Sequence, residues 1–206
     1  MYLIPAWTFA SSFLPETDAD RSALAYWTGG AAGAALVIAS LLLHELGHVV
    51  AARRAGLGVA RITLSFVGGT SEIVGAPRHA RDEFVIAAAG PCTSLALALL
   101  AAAAHVAMVE TAGPGLPATV AALIALANLM IALLNVVPGL PLDGGRMLRA
   151  AIWAWTGQAD TATRFVVAAG RRFGDGLLGL AVLASAFGYA AFALWAALVG
   201  LVLRES

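Results

Sequence analysis

The chain has no lysine, a single cysteine, and only 12% charged residues over 206 positions. The lone Cys92 excludes an internal disulfide and a cysteine-built metal cluster. A formal net charge of zero removes the basic field that nucleic acid attracts, so no nucleic-acid partner is expected. The shortage of charge says most. A soluble domain carries about 25% charged residues. Here 61% of the residues are hydrophobic, so the solvent that suits this chain is largely lipid. Its length fits one membrane domain of about six spans, each of roughly 20 residues.

Residues 1–14 are apolar, too short to cross a bilayer, and interrupted by Pro5. They lack a basic start and a small-residue cleavage site, so they do not read as a signal peptide. They stand as a first span that is short or truncated. Apolar runs follow at 24–52, 84–109, 116–137, 160–187 and 189–203. Alternation from Arg61 to Phe66, followed by Gly68 and Gly69, predicts a small β-hairpin or looped strand at 61–74. Pro138 and Pro141 open a broken loop, and a short helix is expected at 145–156. The expected fold class is an all-α polytopic membrane protein with this hairpin at its cytoplasmic face.

Arginine placement gives an orientation. With a cytoplasmic N-terminus, positions 53, 54, 61, 78, 81, 146, 149, 164, 171, 172 and 204 all face the cytoplasm. Only Arg21 lies outside, beside Glu16, Asp18 and Asp20. The positive-inside rule selects this arrangement, with both termini cytoplasmic.

The sequence LLLHELGHVV at 41–50 sets two histidines and a glutamate in the middle of an apolar run. Ionisable groups are costly in hydrocarbon, and those that persist there are functional by default. His44 and His48 stand four residues apart, so one helix face carries both imidazoles within reach of one zinc ion. Glu45 is placed to take a proton from an attacking water. Gly47 removes bulk beside the metal and leaves room for a substrate backbone. At about 1.5 Å per residue, the two histidines lie roughly 8–14 Å inside the boundary marked by Arg53.

Catalytic zinc uses three protein ligands and an open position. Asp143, Asp82, Glu83, Glu72, Cys92, His79 and His105 are the candidates for the third. Asp143 is favoured, because Pro138 and Pro141 end a span just before it. Gly144 and Gly145 then allow a tight bend that returns the carboxylate toward the metal. A plain Asp-Gly turn with a helix cap is the bland alternative for this stretch taken alone.

Together, HExxH on one span and NVVPGLPLDGGR at 135–146 resemble the site-2 protease family of intramembrane zinc metalloproteases. FVGG at 66–69 and RDEFVIAAAGP at 81–91 extend the resemblance, which covers about residues 24–204. It implies one zinc per chain held by His44, His48 and Asp143, with Glu45 as general base. It implies a supporting catalytic role for Asn135, holding substrate backbone or the developing oxyanion. The implied activity is regulated cleavage of a transmembrane or membrane-associated segment of a substrate protein, in a bacterial or archaeal-type cell membrane. The bilayer and that substrate are the implied partners, and a homo-oligomer is left open. Residues 1–206 read as one metalloprotease domain. The connection at 110–116 is too short for a PDZ module, and no CBS pair follows Leu203. Family members usually begin with a full first span behind a short hairpin, and residues 1–14 depart from that.

Other polar residues have blander readings. The small run Ala87–Gly90 suits close packing of its span on the HELGH helix. Cys92 and Ser94 read as core rather than site lining, and His105 as a hydrogen-bonded core histidine. His79 reads as solvated. Arg164, Arg171 and Arg172 mark an interface, with Asp175 a partner for one of them. The exposed edge of strand 62–66 suits either an ordinary hairpin or addition of an extended substrate. The rival function is a non-catalytic metal-binding or metal-transporting membrane protein. A transporter would string ionisable residues along a path across the bilayer. Here they cluster on one side, and neither Glu45 nor a ligand has been lost.

Overall fold

The computed structural model describes residues 22–64 and 69–205. The expectations for residues 1–14 and for 65–68 lie outside these. Helix α1, Ala23–Arg54, is capped by Ser22, whose Oγ accepts from the Ala25 amide at 3.2 Å. It ends at Arg53 and Arg54, after which Gly56 takes a left-handed φ of 77° and turns the chain. Strands β1 (Gly58–Leu64) and β2 (Gly69–Val74) then form an antiparallel pair, with Gly58 opposite Val74 and Leu64 opposite Gly69. This is the expected hairpin, begun three residues earlier. Its apolar residues Val59 and Ile73 pack with Leu57 against Ala51, Ala52 and Ile86, so the hairpin is seated where α1 meets the next helix.

Helix α2, Ala80–Ala112, continues through Pro91, and α3 is Leu116–Asn135. The loop 136–142 leads to α4, Asp143–Thr156, and then come α5 (Ala159–Ala186) and α6 (Ala190–Glu205). The helical majority and the single small hairpin match the expected all-α class. Of the anticipated spans, α1, α2 and α3 are long and apolar enough to cross a membrane. The others fall on α5, whose first half carries Arg164, Arg171 and Arg172, on the 16-residue α6, and on the undescribed start. At about 1.5 Å per residue, α1 and α2 exceed the roughly 30 Å hydrocarbon thickness and project beyond it.

Large apolar side chains face outward along the spans, among them Leu95, Leu99, Leu100, Leu126 and Leu133. That inverts the soluble pattern and suits a lipid surround. The interior is mostly alanine, glycine and a few polar groups, with Val49, Ile86, Ile124, Val166 and Leu203 among them, which lets helices approach closely. Gly174 of α5 lies against the Gly200 carbonyl of α6, where an added methyl would come within 2.6 Å of that oxygen.

Two sequence expectations change. Gly144 and Gly145 do not form a bend; they are in the first turn of α4. Their missing side chains let that turn pack directly on backbone, since a methyl at Gly144 would collide with the Val136 carbonyl. Asp175 pairs with Arg204 of α6 at 3.3 Å rather than with the arginines of its own helix. Helix pairing brings the C-terminal arginine nearer than residues fixed along α5.

Candidate metal centre

Helix α1 supplies His44 and His48 from successive turns of one face, and both are 4% exposed. Asp143 arrives from a different direction, at the first residue of α4. Its Oδ2 lies 3.2 Å from His44 Nε2 and 3.2 Å from His48 Nε2, and the two Nε2 atoms are 3.3 Å apart. A tetrahedral zinc with bonds of about 2.0–2.1 Å holds its ligand atoms about 3.3–3.4 Å from one another. The three atoms therefore form one near-equilateral face of such a tetrahedron. A catalytic zinc held by these three would take water or substrate as its fourth ligand.

The far side of each imidazole is occupied. His48 Nδ1–H donates to the Ile86 carbonyl at 2.7 Å, and His44 Nδ1 is hydrogen-bonded with Ser94 Oγ at 2.9 Å. The carbonyl bond sets His48 in the tautomer whose Nε2 lone pair points at the triad, and the hydroxyl bond fixes the orientation of the His44 ring. Gly90 sits between the two anchors, and a methyl there would run into both Nε2 atoms. Ile86, Gly90 and Ser94 share one face of α2 at four-residue intervals. One rigid helix thus orients both histidines and leaves bare backbone beside the metal position.

Glu45 follows His44 and is buried, at 5% exposure. Gly47 meets α2 closely, with Thr93 Oγ1 within 2.6 Å and the Ala89 carbonyl within 2.9 Å of where a methyl would be. Its bare backbone serves helix packing at this contact. Asn135 ends α3, half-buried, and its amide donates to the Ile131 carbonyl one turn back at 2.9 Å. No hydrogen bond among the described residues links it to the triad.

Of the other third-ligand candidates, none joins the cluster among the described residues. His105 donates to the Ala118 carbonyl at 2.8 Å, as a core histidine does. His79 is an exposed residue 3.4 Å from Asp82. Cys92 is exposed, on a groove of about 600 Å³ between α1 and α2 that also carries Arg54 and Phe84. Glu83 is buried and pairs with Arg149.

Ser94, a core residue by its sequence context, is fully buried, yet its hydroxyl is committed to His44. Two further polar residues escaped the sequence reading. Asn128 of α3 is fully buried and donates to Ser40 Oγ at 3.0 Å, and Ser40 lies one turn before His44. The signal available was polarity alone: serine and asparagine inside apolar spans seek partners there.

The family model for peptidase family M50 matches residues 32–112 and 105–173. Rip3 of Mycobacterium tuberculosis, named as a zinc metalloprotease, is 37% identical over 96% of this chain and 51% of its own length. A Synechocystis protein also named as a zinc metalloprotease, sll0528, is 36% identical over 72% of this chain and 38% of its own. The chain thus spans about half the length of the first of these curated relatives, and less of the second. A solved structure, the site-2 protease from Methanocaldococcus jannaschii, superposes with a TM-score of 0.61 at 22% identity, covering 98% of this chain and 86% of that one.

Proposed function

The chain belongs to peptidase family M50, and we propose from that premise that it is an intramembrane zinc endopeptidase. The observation carrying this reading is the buried His44–His48–Asp143 triangle, beside Glu45, on helices apolar enough to cross a bilayer. Its substrate is a transmembrane or membrane-associated segment of another protein, cut in regulated intramembrane proteolysis. A single domain carries the chemistry. The end of α1 and loop 136–142 face the cytoplasm, as do both termini, in the orientation set by the arginines.

His44, His48 and Asp143 hold the metal. Zinc at such a site acidifies water and polarises a carbonyl. Glu45 takes the proton from the attacking water and returns it to the leaving amine. Burial of Glu45 keeps bulk water from competing for that proton. A helical substrate hides its peptide bonds in its own hydrogen bonds, so it must unwind locally before attack. Asn135 has a second amide hydrogen beyond the one given to Ile131. We assign that donor to the carbonyl of the unwound substrate.

The test is a purified protein assayed for zinc content and for cutting a reporter that contains a membrane segment. Zinc-dependent cleavage, abolished by chelator and restored by zinc, is the expected result. Zinc binding with no cleavage of any membrane-segment reporter would favour a non-catalytic metal-binding protein.

A further inference from the structure

Helix α4 is only 14 residues long, yet its first residue must deliver a carboxylate to histidines on another helix. Farther along, Arg149 ties this helix to its neighbours. The Arg149 guanidinium forms an ion pair through Nη1 with Glu83 Oε1 of α2. Its Nε donates to Thr163 Oγ1 of α5 at 2.8 Å, and it lies 6.0 Å from the ring centre of Trp153. Glu83 is 2% exposed, and its Oε2 has no hydrogen-bond partner among the described residues.

Such a pair is a poor source of stability. Desolvating two charges offsets most of their attraction, and apolar residues of similar size often stabilise as well or better. The orphan Oε2 adds to that cost. The position of Glu83 suggests another use. It lies on the same face of α2 as Ile86, Gly90 and Ser94, the residues that hold or border His48 and His44. Arg149 follows Asp143 by six residues, about 9 Å along the α4 axis.

We propose that Glu83 and Arg149 are positioning residues for Asp143, a clamp that references the third metal ligand to the same face of α2 that orients the other two. The tight packing of Gly144 on Val136 sets how near α4 comes; the clamp sets how it is turned. The guanidinium bonds Glu83 and Thr163 with donors that diverge in one rigid plane, a geometry that the flexible point charge of a lysine does not reproduce. This inference rests on the metal reading of the triad.

The experiment uses the full chain in detergent and compares Arg149→Lys, Arg149→Met and Glu83→Gln with the parent. Zinc affinity is measured by chelator competition, the melting temperature on metal-free protein, and site geometry by the visible absorption of Co²⁺-loaded protein. Arg149→Lys is expected to weaken zinc about 10–100-fold, the range seen when a metal ligand loses its outer support. Its Co²⁺ spectrum should shift, while the metal-free melting temperature stays near that of the parent. Glu83→Gln keeps an acceptor for Arg149 and should weaken zinc less. If Arg149→Met does not fold, the other two variants decide. Zinc affinity within twofold of the parent and an unchanged Co²⁺ spectrum in the folded variants, even with a lower melting temperature, would reduce the clamp to a fold contact and overturn the proposal. A parent that binds no zinc overturns the metal reading itself and is seen first.

Discussion

Ser94 and His44 stand 50 residues apart in sequence and 2.9 Å apart in space, Oγ to Nδ1, both buried where α1 meets α2. That bond aims His44 Nε2 at Asp143. Ser94→Ala removes it without adding bulk. The expected result is zinc affinity lower by about 10–100-fold, as for other outer-shell partners. The loss in stability should be about 1–3 kcal/mol, the cost of leaving a buried ring nitrogen without its partner. Chelator competition and thermal melting measure the two separately; unchanged affinity would show that His44 needs no such guide.

Gly90→Ala makes a sharper case. The added methyl would collide with both Nε2 atoms, the donors proposed to hold the metal. Zinc content of the purified variant should fall to background. Gly176 and Gly179 have nothing within 4 Å of an added methyl, so alanine at either should leave zinc content unchanged. A Gly90→Ala protein that retains full zinc would move the metal away from the triad face.

These two residues mark where sequence reading ended. The four-residue spacing of His44 and His48 is a local property of one helix, so it was visible in ten residues. Asp143 needed a long-range inference, and its proline-broken approach supplied a reason to choose it. Gly90 was read as a packing residue, which the contact between α1 and α2 agrees with. That its bare Cα also borders the imidazoles depends on the relative rotation of two helices. No periodicity encodes this. Ser94 and Asn128 present the same difficulty, because a polar residue in an apolar run announces that it has a partner without saying which. Gly144 and Gly145 were given the freedom of a bend, whereas tertiary packing required their small size within a helix.

Orientation can be tested directly. The proposed orientation, which sets eleven of the twelve arginines on one side, predicts position 54 in the cytoplasm and Gly113, between α2 and α3, outside. Cysteine at either position, with Cys92 first replaced by serine, reports its side. An impermeant thiol reagent applied to intact cells should label position 113 and spare position 54 until the cells are opened. The opposite pattern would reverse the protein in the membrane.

The last prediction separates chemistry from metal binding. Glu45 is not one of the three convergent ligand atoms, yet it is buried beside one of them. Glu45→Gln preserves its size and removes its ability to accept a proton. The variant should keep parent zinc content and melting temperature. Cleavage of a reporter with a membrane segment should fall by at least about 10²–10⁴-fold, the range for a lost general acid–base group. Because the same carboxylate serves both the water and the leaving amine, the loss should lie toward the upper end. His44→Ala is the contrast, since it should lose zinc and activity together. Chelator-treated parent protein should match His44→Ala in activity and recover on adding zinc, whereas Glu45→Gln should not respond to zinc at any concentration. A Glu45→Gln protein cutting near the parent rate would remove Glu45 from the proton transfer and require another base within reach of the triad.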